Sequence, residues 1–279
     1  LENPFRKIKF WKLILWMVAG FILFAIADIG LDLAGFRHEE VSSTAFSIYF
    51  YLINFLWIVY SLKKADIGLS ELIGRSSGPV SWKKYAGLTL MQVLVSIWAI
   101  FTLFYFVSLV FPDWVLDTFN AVEETPETFE GIIIELVTIV LIAPFVEEIL
   151  FRGILLHKLS AKLSLKTSVV ISSLIFAALH MNEGFVGQFM GGILLAIFYI
   201  ETKNLWVSIA CHSLNNLIAG IFMFLPGDPG AVASLSELQQ GTFIAMIAGL
   251  PFLVGMVVYY VKTFRKQNWD IPYKVEKAA

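Results

Sequence analysis

The stretch APFVEEILFR, Ala143 to Arg152, sets two adjacent carboxylates and a guanidinium in a run otherwise as apolar as lipid. A charge at mid-membrane costs roughly 2.5 to 3.5 kcal/mol on insertion scales, so such residues are functional candidates by default. Glu148 and Arg152 are four apart, neighbours on one helix face and close enough to pair. Glu147 points about 100° away around the same helix, leaving its carboxylate free to meet another group. Of the four histidines, two lie in apolar sequence: His180 in FAALH and His212 in CHSLNN. Asn216 follows His212 by one helical turn and shares its face. His38 reads as a residue of a short outer loop, and His157, beside Lys158, as an exposed residue at the end of a span. A carboxylate, two imidazoles and a carboxamide can activate water and hold an oxyanion, the minimum for amide hydrolysis.

Other readings stay open at this level. A lone intramembrane histidine is more often a hydrogen-bonded packing residue, and a Glu–Arg pair often only ties a helix down. Glu147, His180 and His212 could also hold zinc with an open water position. HExxH is absent, since HEEVS at His38 lacks the second histidine. Intramembrane carboxylates and imidazoles also build proton relays in transporters, although no inverted repeat or pair of broken helices supports that use.

The elements that must position these residues are membrane spans. The chain has 279 residues, is 58% apolar and only 15% charged, and its mean hydropathy is +0.78, the composition of an integral membrane protein. About eight transmembrane helices are expected, over residues 13–34, 44–62, 85–111, 131–156, 166–181, 184–201, 204–225 and 241–262. The fold class is therefore all-α and polytopic, with residues 1–279 forming a single integral membrane domain. Residues 131–225 form its motif-bearing core, with a cleft among spans four to seven. Residues 25–28, AIAD, mimic a signal-peptide cleavage site, but the preceding apolar run is long enough to be kept as a span. A short amphipathic piece around Ile67 to Ile73 is expected at the membrane surface. Gly187 and Gly191 form a GxxxG suited to close helix packing. Cys211, the one cysteine, reads as a small buried packing residue.

Charge sets the expected orientation. With a cytoplasmic amino terminus, Arg37 alone of the 20 Lys and Arg residues falls outside, so both termini are expected in the cytoplasm. Depth poses one difficulty. Glu147 and His212 fall in the inner halves of their spans, whereas His180 comes at the outer end of a fifth span that is short for a full crossing. An inward dip of the connection LSAKLSLK, the preferred reading, or span boundaries other than these would reconcile them.

EEILFR, FAALH and HSLNN resemble the three motifs EExxxR, FxxxH and HxxxN of the CPBP family, the CAAX-protease and bacteriocin-processing proteins, also called Abi. The eukaryotic Ras-converting enzymes belong to that family. The resemblance covers about Ala143 to Asn216, and the first three spans carry none of it. It implies an intramembrane endopeptidase that hydrolyses a peptide bond of a membrane-associated peptide or protein in the bilayer. Glu147 resembles the general base acting with His180 on a water. His212 and Asn216 resemble the oxyanion-stabilising pair, and Glu148 with Arg152 the supporting pair. No cofactor is implied, zinc being the alternative, and no nucleic-acid partner. The short loops look like the bacterial branch, whose members resemble peptide-maturation and bacteriocin self-immunity factors in the plasma membrane. Some relatives act only as membrane partners or regulators, so a catalytically silent scaffold is the reading from a different class.

Overall fold

The computed structural model describes residues 3–35, 39–76, 78–120, 129–224 and 234–273. The chain is an all-helical polytopic membrane protein. Six helices among the described residues are long and apolar enough to cross a membrane, and two shorter apolar helices accompany them. In chain order the helices are α1 (Phe10–Leu33), α2 (Glu39–Ala65), α3 (Leu69–Ile73), α4 (Trp82–Ser108) and α5 (Pro112–Asn120). The fourth span, α6 (Phe129–Ser160), is followed by the two shorter apolar helices and the span between them: α7 (Leu165–Leu179), α8 (Phe185–Thr202) and α9 (Leu205–Phe224). The last is α10 (Leu235–Lys266). Each expected span has its helix within a few residues. His38 and residues 121–128 lie outside the described residues.

Burial divides these helices. Helix α8 is enclosed, with Ala196, Ile197 and Phe198 fully buried, while α1 leaves Ile14, Phe21, Leu23 and Ile26 more than half exposed. Apolar side chains on the outside are expected where lipid is the solvent. The span between the second and third motif helices is thus central, and α1 lies at the periphery.

Close packing around α8 follows from its glycines. A Cβ at Gly187 would lie 2.6 Å from Ser96 Oγ on α4, and one at Gly192 would lie 2.9 Å from Ser173 Cβ on α7. Gln92 of α4 donates to the Gly187 carbonyl at 2.9 Å, so the approach is fixed by a hydrogen bond as well as by the missing side chain.

Two sequence expectations change. The Ile67–Ile73 piece is no surface helix: Leu72 is fully buried, its carbonyl accepts from Tyr199 at 2.8 Å, and its side chain fills the space over Gly153 of α6. His157 is likewise not exposed. Its ring is fully buried, stacked on Phe5 at 4.8 Å, with Nε2 accepting the Tyr273 N–H at 3.1 Å. Both terminal segments therefore fold back onto the same end of α6.

Candidate active site

Helix α6 is not a regular α-helix. It carries π-helical turns at Thr138–Ile142 and Ile149–Leu155, flanking the α-helical Ala143–Glu148. Pro144 has no N–H to give to the preceding turn and crowds its carbonyl, which accounts for the first wide turn. The second runs through Arg152. Such turns recur where side chains must be aimed off the regular repeat, and here Glu147 and Glu148 stand between them.

Glu148 is fully buried and Arg152 is 2% exposed. Arg152 Nη1 donates to Glu148 Oε1 at 2.5 Å, the i,i+4 pair expected from spacing. Its Nη2 reaches the Gly192 carbonyl on α8 at 3.2 Å. The same Glu148 oxygen meets His212 Nδ1 at 2.8 Å. Facing a carboxylate, that nitrogen carries the proton and donates. One buried oxygen thus ties α6 to α9, while Glu148 Oε2 has no hydrogen-bond partner among the described residues.

Glu147 points away from this knot, as the helix geometry requires. His180 Nε2 faces its Oε1 at 3.7 Å, and His212 Nε2 faces its Oε2 at 3.9 Å. Tyr51 Oη donates to Oε1 at 3.0 Å. His180 Nδ1 lies 2.8 Å from the Phe176 carbonyl, which makes it the donor and leaves Nε2 toward Glu147. His180 is half-buried and Glu147 is 9% exposed, so the carboxylate lies at the edge of the core. Asn216 lies one turn beyond His212 on α9, where its amide donates to the Ile139 carbonyl in the first π turn at 2.8 Å. The other amide proton remains as a donor.

Helix length brings the two levels together. From Glu147 to the end of α6, and from the start of α7 to His180, the chain climbs about 20 Å at 1.5 Å per residue. The connection between them is mostly exposed, and the Ala161 carbonyl receives the Arg6 guanidinium at 3.0 Å. Helix α6 runs on to Ser160, four residues beyond its expected end, and this lengthening brings the two residues to one level relative to the connection.

Two further side chains belong to the site: Tyr51, which has no signal in the sequence, and Phe176, to which the FxxxH resemblance gave no role. Tyr51 comes from a span that carries no motif, and no local spacing connects it to Glu147. Phe176 is the first residue of FAALH. Its ring lies 4.3 Å from that of His180, 5.9 Å from that of His212 and 4.7 Å below the Arg152 guanidinium carbon. One aromatic face thus supports a cation and two imidazoles. The i,i+4 spacing of Phe176 and His180 was the available signal.

Residues 129–218 match the family model described as type II CAAX prenyl endopeptidase Rce1-like. The chain is 32% identical over 114 residues to YdiL of Bacillus subtilis (strain 168), which bears the name of a membrane peptidase, covering 40% of this chain and 44% of that one. It is 32% identical over 111 residues to the membrane-embedded CAAX protease MroQ of Staphylococcus aureus (strain USA300), covering 37% of this chain and 43% of that one. The chain spans less than half the length of the curated relatives it matches. No solved structure matches it. Glu147, Glu148, Arg152, His180, His212 and Asn216 all fall inside the matched stretch, so the similarity of residues 129–218 to the Rce1-like CAAX endopeptidases includes every candidate site residue.

Proposed function

We propose that the protein is an intramembrane endopeptidase in which Glu147 activates a water for attack on a peptide carbonyl of a membrane-associated peptide or protein. The supporting observation is the convergence of His180 Nε2 and His212 Nε2 on opposite oxygens of the Glu147 carboxylate, at 3.7 and 3.9 Å. Both separations exceed a direct hydrogen bond, so each pair can share a water placed off the line between them. Glu147 takes a proton from that water, with His180 orienting it, and the hydroxide adds to the carbonyl carbon. His212 as an imidazolium, its Nδ1–H held by Glu148, donates from Nε2 to the oxyanion, and the remaining amide proton of Asn216 is the second donor. Collapse breaks the C–N bond, and Glu147 returns its proton to the leaving amine.

Glu148 and Arg152 act through His212 and the helix rather than on substrate. Zinc is the chemical alternative, with Glu147, His180 and His212 as its ligands. Among the described residues no group of three or more His, Cys, Asp and Glu side chains is arranged to hold a metal ion, so no step is routed through one. A metal-free reaction is part of the proposal, and the metal analysis below tests it.

Place and relatives support the substrate class. A site at the edge of a helix bundle admits the end of a lipidated or membrane-inserted peptide, and the Staphylococcus aureus relative is named for CAAX proteolysis. Charge distribution supports both termini in the cytoplasm, the bacterial relatives support a plasma membrane, and the CPBP resemblance implies peptide maturation or bacteriocin immunity as the setting. The test is purified protein in lipid vesicles with membrane-associated peptides, beside Glu147→Gln and a metal analysis of the same sample. Cleavage by the intact protein alone, at substoichiometric zinc, is expected. Stoichiometric zinc lost together with activity overturns the metal-free reading.

A further inference from the structure

Outside the site, the seam between α1 and α2 changes from cationic to apolar along its length. At the end where both terminal segments meet, a cavity of about 310 Å³ is lined by Lys7, Lys9, Lys12 and Lys64, with Trp57 and Tyr60 in its wall. Lys12 is half-buried and the other three lysines are exposed. Among the described residues none of the four pairs with a carboxylate. Like charges gather here without the compensation that Lys84 has in Glu201, at 2.5 Å.

Further along the same seam lies a second cavity of about 270 Å³, between Met17, Gly20 and Phe21 of α1 and Tyr49, Phe50 and Ile53 of α2. The α2 positions lining the two cavities recur every three or four residues from Phe46 to Lys64 and so form one face. The Trp16–Tyr60 ring stack, at 6.0 Å, stands between them. From Lys64 to Phe50 the helix rises about 21 Å, close to a headgroup plus one leaflet of acyl chain. Gly20 keeps the apolar part narrow but open, since a Cβ there would meet Ile53 at 3.2 Å. The neighbouring α1 residues Ile14, Leu15 and Val18 are more than half exposed, so the seam faces the surroundings.

We propose that this seam is a binding site for one anionic phospholipid, its phosphate on the four lysines and one acyl chain along the Gly20–Ile53 groove. Charge complementarity selects the occupant. Ammonium groups bind phosphate as point charges, Trp and Tyr sit at headgroup depth, and a zwitterionic lipid would bring a cation of its own to an already cationic cavity. The inference does not rest on the proteolytic reading.

The test uses the full chain in detergent, supplied with equal amounts of phosphatidylglycerol and phosphatidylcholine and examined by native mass spectrometry. Retention of one phosphatidylglycerol in preference to phosphatidylcholine is expected. Changing Lys7, Lys9, Lys12 and Lys64 to Gln should remove that preference, at about fivefold in affinity per lysine. Changing Lys83, Lys262, Arg265 and Lys266 to Gln removes as much charge elsewhere and should leave it. Gly20→Leu should weaken retention of the long-chain lipid and spare a dihexanoyl analogue. Equal retention of the two lipids, or equal loss in both four-residue variants, overturns the site. Displacement by millimolar inorganic phosphate together with indifference to Gly20→Leu would make it a free-phosphate site and overturn the lipid assignment.

Discussion

Glu148 is the most constrained side chain in the candidate site, because one buried oxygen carries both Arg152 and His212 while the other has no partner among the described residues. Removing the guanidinium leaves a carboxylate buried without its counter-charge. Arg152→Ala should therefore destabilise the protein by about 3–5 kcal/mol, seen as a lower unfolding temperature in detergent before any question of activity arises. Tyr51 offers the opposite experiment. Tyr51→Phe keeps the ring and deletes one hydrogen bond to a charged oxygen, an interaction of about 1.5–3 kcal/mol. The proposed reaction should slow by about ten- to a hundredfold with folding intact, and equal kcat/KM in the two proteins would remove Tyr51 from any positioning role. At this scale the sequence was informative where residues share a helix face: Glu148 with Arg152, and His212 with Asn216. It was silent on Tyr51, because a contact between residues 51 and 147 leaves no trace in local spacing.

Among the elements, hydropathy made every span legible, and even the shortness of α7 could be read from its apolar length. The π turns of α6 could not, since a wide turn changes which residues face the core without changing their composition; Pro144 was the single hint. The buried seat of α3 was also hidden, because a five-residue helix with apolar residues suits a lipid surface and a core equally. Helix contacts at glycine are open to test. Gly192→Val places a branched side chain where a Cβ already lies 2.9 Å from Ser173. A loss of about 1–3 kcal/mol from overpacking is expected, read as a lower unfolding temperature. Gly241→Val, at a position with nothing within 4 Å of a Cβ, should shift it far less.

In the whole molecule, the two terminal segments close over the end of α6. Phe5 stacks on His157, Tyr273 donates its backbone N–H to the same imidazole, and Lys158 Nζ binds the Ile8 carbonyl. His157 Nδ1 in turn lies 3.2 Å from the carbonyl of Arg152, so the clasp is one hydrogen bond from the backbone of the candidate site. Phe5→Ala should cost about 3–5 kcal/mol as a buried aromatic deletion. Protease sensitivity of the carboxy-terminal segment should rise in the same variant; unchanged sensitivity would mean that the two segments dock independently. The sequence pointed the other way here. A histidine beside a lysine at a helix end reads as exposed, and only folding back from both ends buries it.

Whether Glu147 makes this chain a protease is decided by comparing peptide termini from membranes of host cells carrying the intact protein or Glu147→Gln at matched expression. New termini present only with the intact protein are the predicted result, and they would name the substrates. Identical termini in the two membranes, in a host that contains the natural partners, would contradict the claim and leave the chain as a membrane scaffold.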